Sequence, residues 1–261
     1  MELHYTCQHG LVYCAIAAYL TAFVMTVSRK RKAGWILYGL GFIITLAAFG
    51  YRWYHTGHVP FQNMFEVCLS MGMLMFPLTL FCRNRLKVGG QAADLLIGAV
   101  LLFPVGLIFP SEPQKLPPAL QCRLFIPHVA VYLLSYVIMA KAAVQACHSM
   151  LTGDKKAQLD YEAQSYRMVR LGFPLLTLGL LLGSCWGKLA WGDYWGWDPK
   201  ELWSLASWLV YVGYFHFRYL YGPARPKASS LWILAGMAAI LITLFWVNLS
   251  KLFAGLHSYA A

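Results

Sequence analysis

The sequence predicts an all-α, polytopic integral membrane bundle of about eight transmembrane helices, with both termini extracytoplasmic. Three observations carry that expectation. Hydrophobic residues make up 59% of the 261 and charged residues only 12%, where a soluble domain has roughly 25% charged. Apolar runs near 20 residues recur along the whole chain, the length a helix needs to cross roughly 30 Å of hydrocarbon. The basic residues collect in alternate connections between those runs, which is an orientation signal. A disordered chain is excluded, and a soluble globular enzyme is a poor fit.

The spans fall near 10–27, 35–54, 63–82, 93–109, 127–147, 170–187, 201–220 and 230–250. Residues 1–10 carry no basic region ahead of the first run, so that run is expected to stay in the mature protein rather than act as a cleaved signal. The fourth run is the shortest, and Pro104 inside it is placed to kink it. Arg29, Lys30, Arg31 and Lys32 follow the first run, and Arg83, Arg85 and Lys87 the third. Lys155, Lys156, Arg167 and Arg170 lie between the fifth and sixth, and Arg218, Arg225 and Lys227 around the last connection. These 14 of the 21 Lys and Arg define the cytoplasmic side. A net charge of +11 spread over such short loops gives no continuous basic face, so nucleic acid is not expected as a partner.

One domain, residues 1–261, is expected. Loop 110–127, with five prolines, is the longest external connection before the segment described next. Gly179, Gly183 and Gly187 recur every four residues on the sixth span, a small-residue face that lets another helix approach closely. The seven cysteines (7, 14, 68, 82, 122, 147 and 185) show no CxxC, CxxCH or paired zinc spacing, and read as small apolar residues in helices.

Residues 191–201 read WGDYWGWDPKE, with Trp186 and Trp203 flanking. Interfacial aromatic belts scatter over many helix ends, whereas Trp191, Tyr194, Trp195 and Trp197 crowd into seven residues broken by Gly192 and Gly196. Clustered indoles make a flat apolar platform, and glycines let backbone lie close to a ligand. The ligand such a surface suits is large, planar and aromatic with polar edges. His128 opens the fifth span, and His257 follows the eighth, on the side that carries the aromatic segment. Two imidazoles beside a flat aromatic platform are what six-coordinate haem iron needs. His216 lies 15 residues beyond Glu201, about 22 Å along a helix. An ionisable group inside a span usually faces a bundle interior or cavity, and His216 suits an inner haem station. His148 reads as interfacial, and His4, His9, His55 and His58 are external without an assigned role.

The pattern from Trp191 to Trp203 resembles the tryptophan-rich WWD signature of the haem-handling proteins of cytochrome c biogenesis. It is most similar to the CcsA (ResC) branch of system II, which reads WGxYWxWDPKE, rather than the CcmC branch with its WGxWWxWDxRL. Further similarity lies in Arg52…Gly57-His58-x-Pro60…Asn63-x-x-Glu66, with Phe65 where Tyr is common, and in Gly255-Leu-His257-Ser-Tyr259. His128 and His257 match that branch's two external histidines and His216 its intramembrane one.

The resemblance implies a subunit of a cytochrome c synthase. It would move haem b, as bound substrate, across the membrane and attach it to CxxCH motifs of apocytochromes c. A CcsB (ResB)-like membrane subunit would supply the second ligand at the inner site. His128, His257 and His216 would meet the iron, and Trp191, Tyr194, Trp195, Trp197, Asp198, Lys200 and Trp203 would line the site. Lys200 is placed for a propionate, or for pairing with Glu201 or Asp198. The WWD segment, 186–203, would face outside the cytoplasm of a bacterial inner or plasma membrane, in preference to a thylakoid. Two alternatives stay open on the residues themselves: a secondary transporter or channel lined by His216, Lys141 and Glu66, and a structural scaffold whose aromatics are anchors alone.

Overall fold

In the computed structural model, which describes residues 2–249, the chain is helical with no strand among the described residues. Its helices are α1 (Glu2–Val27), α2 (Arg31–Thr56), α3 (Met64–Phe81), α4 (Gln91–Leu107), α5 (Phe125–Leu151), α6 (Lys155–Trp191), α7 (Pro199–Tyr221) and α8 (Pro226–Leu241). A wider-pitched turn extends α3 to Leu86, and another extends α8 to Trp246. Over the described residues, each of the eight apolar stretches lies mainly on one of these helices and its extension. Six helices among the described residues are long and apolar enough to cross a membrane, and α4 is a shorter apolar helix. The protein is an integral membrane helical bundle.

Two differences from the expected layout have simple causes. Helix α6 is 37 residues long, because nothing between residues 155 and 170 breaks it. Asp154 caps its start, accepting from the N–H groups of Lys156 (3.1 Å) and Ala157 (3.3 Å). At 1.5 Å per residue α6 is about 55 Å long, well beyond a roughly 30 Å hydrocarbon core, so the loop expected before the sixth span is mostly helix. Helix α4 runs through Pro104 and ends a turn later, where the N–H groups of Ile108 and Phe109 both reach the Pro104 carbonyl (2.9 and 2.8 Å).

The helices group into two compact units divided between Pro117 and Pro118. In the first, α1 packs on α2 and α4, and α3 on α2 and α4. Tyr19 fills its centre, with the backbones of Gly41 and Gly98 against its ring, where an added Cβ would come within 2.4 and 2.7 Å. Tyr38, Thr79 and Asp94 form a buried hydrogen-bonded chain (3.0 and 2.9 Å). In the second unit α5 packs along α6 and α8, and α7 along α8. Helices α6 and α7 are tied by Trp208 Nε1–H to Thr177 Oγ1 (2.9 Å) and by Arg218 to Glu162 (2.6 Å). The Arg218 guanidinium also lies 3.9 Å from the Tyr166 ring centroid.

The segment from Arg52 to Glu66 closes one end of the first unit around a buried ion pair. Arg52 Nε donates to Glu66 Oε1 (2.9 Å), and its Nη1 and Nη2 donate to the carbonyls of Ser111 and Glu112. Glu66 Oε2 accepts the Gln62 N–H (2.8 Å), and Asn63 caps α3 by accepting the Glu66 N–H (3.0 Å). Gln62 Nε2 then donates to the Lys115 carbonyl (3.2 Å). The proline-rich connection after α4 is thereby fastened to the start of α3. Glu66 thus stands at the first turn of α3 in a salt bridge, not in the middle of a span facing a pathway. Leaving a buried charge without its partner costs about 3–5 kcal/mol. Glu66→Ala should therefore lower the unfolding free energy of the detergent-solubilised protein by about that amount. Denaturant titration measures it; a loss below ~1 kcal/mol, the worth of an exposed pair, contradicts this role.

Candidate functional site

Helices α5 and α6 approach closely along the small-residue face of α6, and this contact places His128. The sequence puts His128 in the first turn of α5, facing Gly179 and Gly183. A Cβ on Gly183 would lie 2.5 Å from His128 Cε1, and one on Gly179 would lie 3.0 Å from the Tyr132 ring. Only glycine admits the imidazole this close. With the ring there, His128 Nδ1–H donates to the Gly179 carbonyl (2.9 Å). A carbonyl only accepts, so the ring proton sits on Nδ1 and the lone pair on Nε2. This is the tautomer in which an imidazole ligates metal through Nε2 while a second hydrogen bond orients the ring.

Trp186 connects the histidine to the aromatic segment. Its indole is 2% exposed and stacks on His128 at 5.5 Å and 21°. It meets Trp191 at 4.7 Å and 66° and donates from Nε1 to the Ala119 carbonyl (2.9 Å). His128, Trp186 and Trp191 are thus one contiguous group. Trp186 was expected only to flank the segment; its bridging position depends on the register of α5 against α6.

Helix α6 ends at Trp191 because Gly192 takes φ 93°, a left-handed conformation that glycine adopts without steric cost. The connection to α7 is then tied at both ends. On the α6 side Ser184 Oγ donates to the Tyr194 carbonyl (2.9 Å), and Lys188 Nζ donates to the Gly192 carbonyl and lies 5.4 Å from the Tyr194 ring. On the α7 side Asp198-Pro199-Lys200-Glu201 is a capping box with proline at the first helical position. Asp198 Oδ1 accepts the Lys200 N–H (2.9 Å), and Glu201 Oε2 accepts the Asp198 N–H (3.2 Å). This structural role of Glu201 was missed in the sequence, where the spacing Asp-Pro-x-Glu is the signal that could have found it.

Between those anchors the aromatics stand outward. Tyr194 is 59% and Trp197 66% exposed, while Trp191 and Trp195 are half-buried. Trp195 and Trp197 meet edge-to-face at 6.0 Å and 86°. Trp197 has φ 56°, a left-handed conformation that costs a bulky residue about 1–3 kcal/mol. Trp203 is half-buried in the second turn of α7.

Lys200 precedes the apolar run 201–220. Its Nζ donates to Asn248 Oδ1 (2.7 Å), and Glu201, one of its expected partners, is engaged by backbone N–H groups instead. Burial pushes the Lys200 ammonium down to about 8, with the nearby Asp198 carboxylate pulling the other way. His216 is exposed, on α7, with Nδ1–H donating to the Val212 carbonyl (3.0 Å). It therefore faces out of the second unit, not into it. His257 lies outside the described residues.

The chain is similar to known proteins of one family. A family model described as cytochrome C assembly protein matches residues 58–254. The chain is 31% identical over 240 residues to a cytochrome c biogenesis protein CcsA of Chlamydomonas reinhardtii, covering 86% of this chain and 67% of that one. It is 29% identical over 278 residues to CcsA of Pyropia yezoensis (86% and 85% covered). To CcsA of Synechococcus sp. (strain WH7803) it is 28% identical over 305 residues (94% and 92% covered). Among solved structures the cytochrome c haem lyase CcmF has a similar fold, with a TM-score of 0.66 at 19% identity; the match covers 94% of this chain and 46% of CcmF. The chain belongs to the cytochrome c assembly protein family and has a role in cytochrome c biogenesis.

Proposed function

We propose that residues 1–261 act as one haem-handling domain, the CcsA-like subunit of a system II cytochrome c synthase. Haem b is its substrate, moved across the membrane and presented to CxxCH motifs of apocytochromes c on the extracytoplasmic side. The observation that carries this reading is the contiguous group of His128, Trp186 and Trp191, which the outward indoles follow directly in the chain. An imidazole held by its Nδ1–H thus adjoins, through Trp186, the aromatic segment that ends α6.

The residues fit that substrate. His128 offers Nε2 to the iron, held in place by the Gly179 carbonyl; His257 is proposed for the opposite face. Two imidazoles fill both axial positions and shield the iron from oxygen chemistry. Trp191, Trp195 and Trp197 cover the ring, Tyr194 and Trp203 extend the surface, and Lys200, beside Asp198, is placed for a propionate. Addition of a cysteine S–H across a vinyl C=C forms each thioether without a leaving group. His216, exposed on α7, serves an earlier inner station and takes its second ligand from a CcsB (ResB)-like subunit. An exposed intramembrane imidazole is costly against lipid, which supports a covering partner there. Both termini are then extracytoplasmic, and the membrane is proposed to be a bacterial plasma membrane.

His128→Ala should abolish most cytochrome c maturation and strip haem from the purified protein, and added imidazole should restore part of both by filling the emptied coordination position. Haem content and maturation, each with and without imidazole, check this; full activity of the variant removes His128 from the site. Gly183→Ala tests the same residue without touching it. Its Cβ would lie 2.5 Å from His128 Cε1, so the ring must move. The variant should accumulate in the membrane yet lose haem several-fold (~3–10-fold, or about 1 kcal/mol of binding). Wild-type haem content there contradicts the claim that this glycine sets the ligand's position.

A further inference from the structure

Three non-glycine residues among those described have left-handed backbone: Arg29, Lys87 and Trp197. Arg29 lies two residues past the end of α1 and Lys87 directly follows the turn that extends α3, where such a conformation is an ordinary way to end a helix. Trp197 is different. It precedes a helix, being the residue before the α7 cap Asp198, and it is a bulky aromatic. Some interaction must hold it there.

The holding group is the carboxylate of Glu201. One oxygen, Oε2, accepts the N–H of Gly196 (2.8 Å) and the N–H of Asp198 (3.2 Å), the two amides on either side of Trp197. Backbone N–H groups that converge on one anion around a left-handed residue form an anion-binding concavity. The anion here is supplied by the chain itself. A capping box accounts for the bond to Asp198 and not for the bond to Gly196. The second bond bends the chain back over the carboxylate, and with it sets the direction of the Trp197 indole, which stands 66% exposed and edge-on to Trp195.

We propose that Glu201 is a positioning residue for haem capture, acting through Trp197 by holding its backbone left-handed so that the indole faces the substrate. The role rests on the haem reading above, and it adds a residue that touches no substrate itself. Gln at this position keeps one accepting oxygen and should preserve most of the function; Ala removes it.

The test uses the full chain purified in detergent from haem-replete cells, as wild type, Glu201→Ala, Glu201→Gln, Trp197→Gly and the double variant Trp197→Gly/Glu201→Ala. Glycine is left-handed without assistance, so Glu201→Ala should lower Tm clearly in the wild-type background and much less beside Trp197→Gly. Haem per protein should fall several-fold in Glu201→Ala and in Trp197→Gly, and the double variant should fall no further than Trp197→Gly alone, as expected of residues that act as a unit. Glu201→Gln, which keeps the accepting oxygen, should stay near wild type in both readouts. Equal Tm losses in the two backgrounds overturn the proposal. So does wild-type haem content in Glu201→Ala when Trp197→Gly has lost it, and Glu201 is then a helix cap only. Full haem content in Trp197→Gly instead overturns the haem role of Trp197, and the positioning role falls with it.

Discussion

The site depends on one hydrogen bond, from His128 Nδ1–H to the carbonyl of Gly179 (2.9 Å). A carbonyl inside a helix is already engaged along the helix axis, and it takes a side-chain donor from outside only if that donor comes very near the backbone. The absence of a Cβ at Gly179 and Gly183 permits the approach. From that contact the rest follows in sequence. The ring is oriented, its proton is fixed, Trp186 lies flat against it, and Trp191 meets Trp186 where α6 stops. The small-residue face of α6 therefore does more than bring two helices together. It decides which nitrogen of a histidine can serve as a ligand.

The aromatic segment follows a second constraint, the need to start α7 cleanly after α6 has ended. Gly192 terminates one helix, and Asp198, Pro199 and Glu201 begin the next. The residues between are fastened at both ends, so the indoles turn outward without becoming loose. A belt of interfacial aromatics needs no such fastening. The combination of a tied backbone, a left-handed Trp197 and exposed rings fits the planar-ligand surface we propose, since backbone strain clusters at functional sites.

Much of this was legible in the residues. Over the described residues the eight apolar stretches lie mainly on helices, because continuous hydrophobicity over about 20 residues has few other outcomes. The WGDYWGWDPKE segment stood out by density alone, and the four-residue glycine spacing pointed to a close helix contact. What could not be read was register. Nothing in the sequence says that Gly183 faces His128 and not its neighbour, or that Trp186 lies between the histidine and Trp191, because those facts depend on how α5 slides along α6. The same holds for Glu66, whose partner Arg52 lies 14 residues away across a turn, and for His216, whose face on α7 is set by packing against α8. The capping box was not read from the residues, although its Asp-Pro-x-Glu spacing stands in the sequence. Its meaning for Trp197 needed the backbone angle.

The most direct measurement is the absorption and low-temperature EPR spectrum of the wild-type protein, purified with a co-expressed CcsB-like subunit from haem-replete cells. Bound haem with the sharp α and β bands of a low-spin, bis-imidazole iron is the expected result. A colourless preparation, or haem that is high-spin with a single protein ligand, would contradict it.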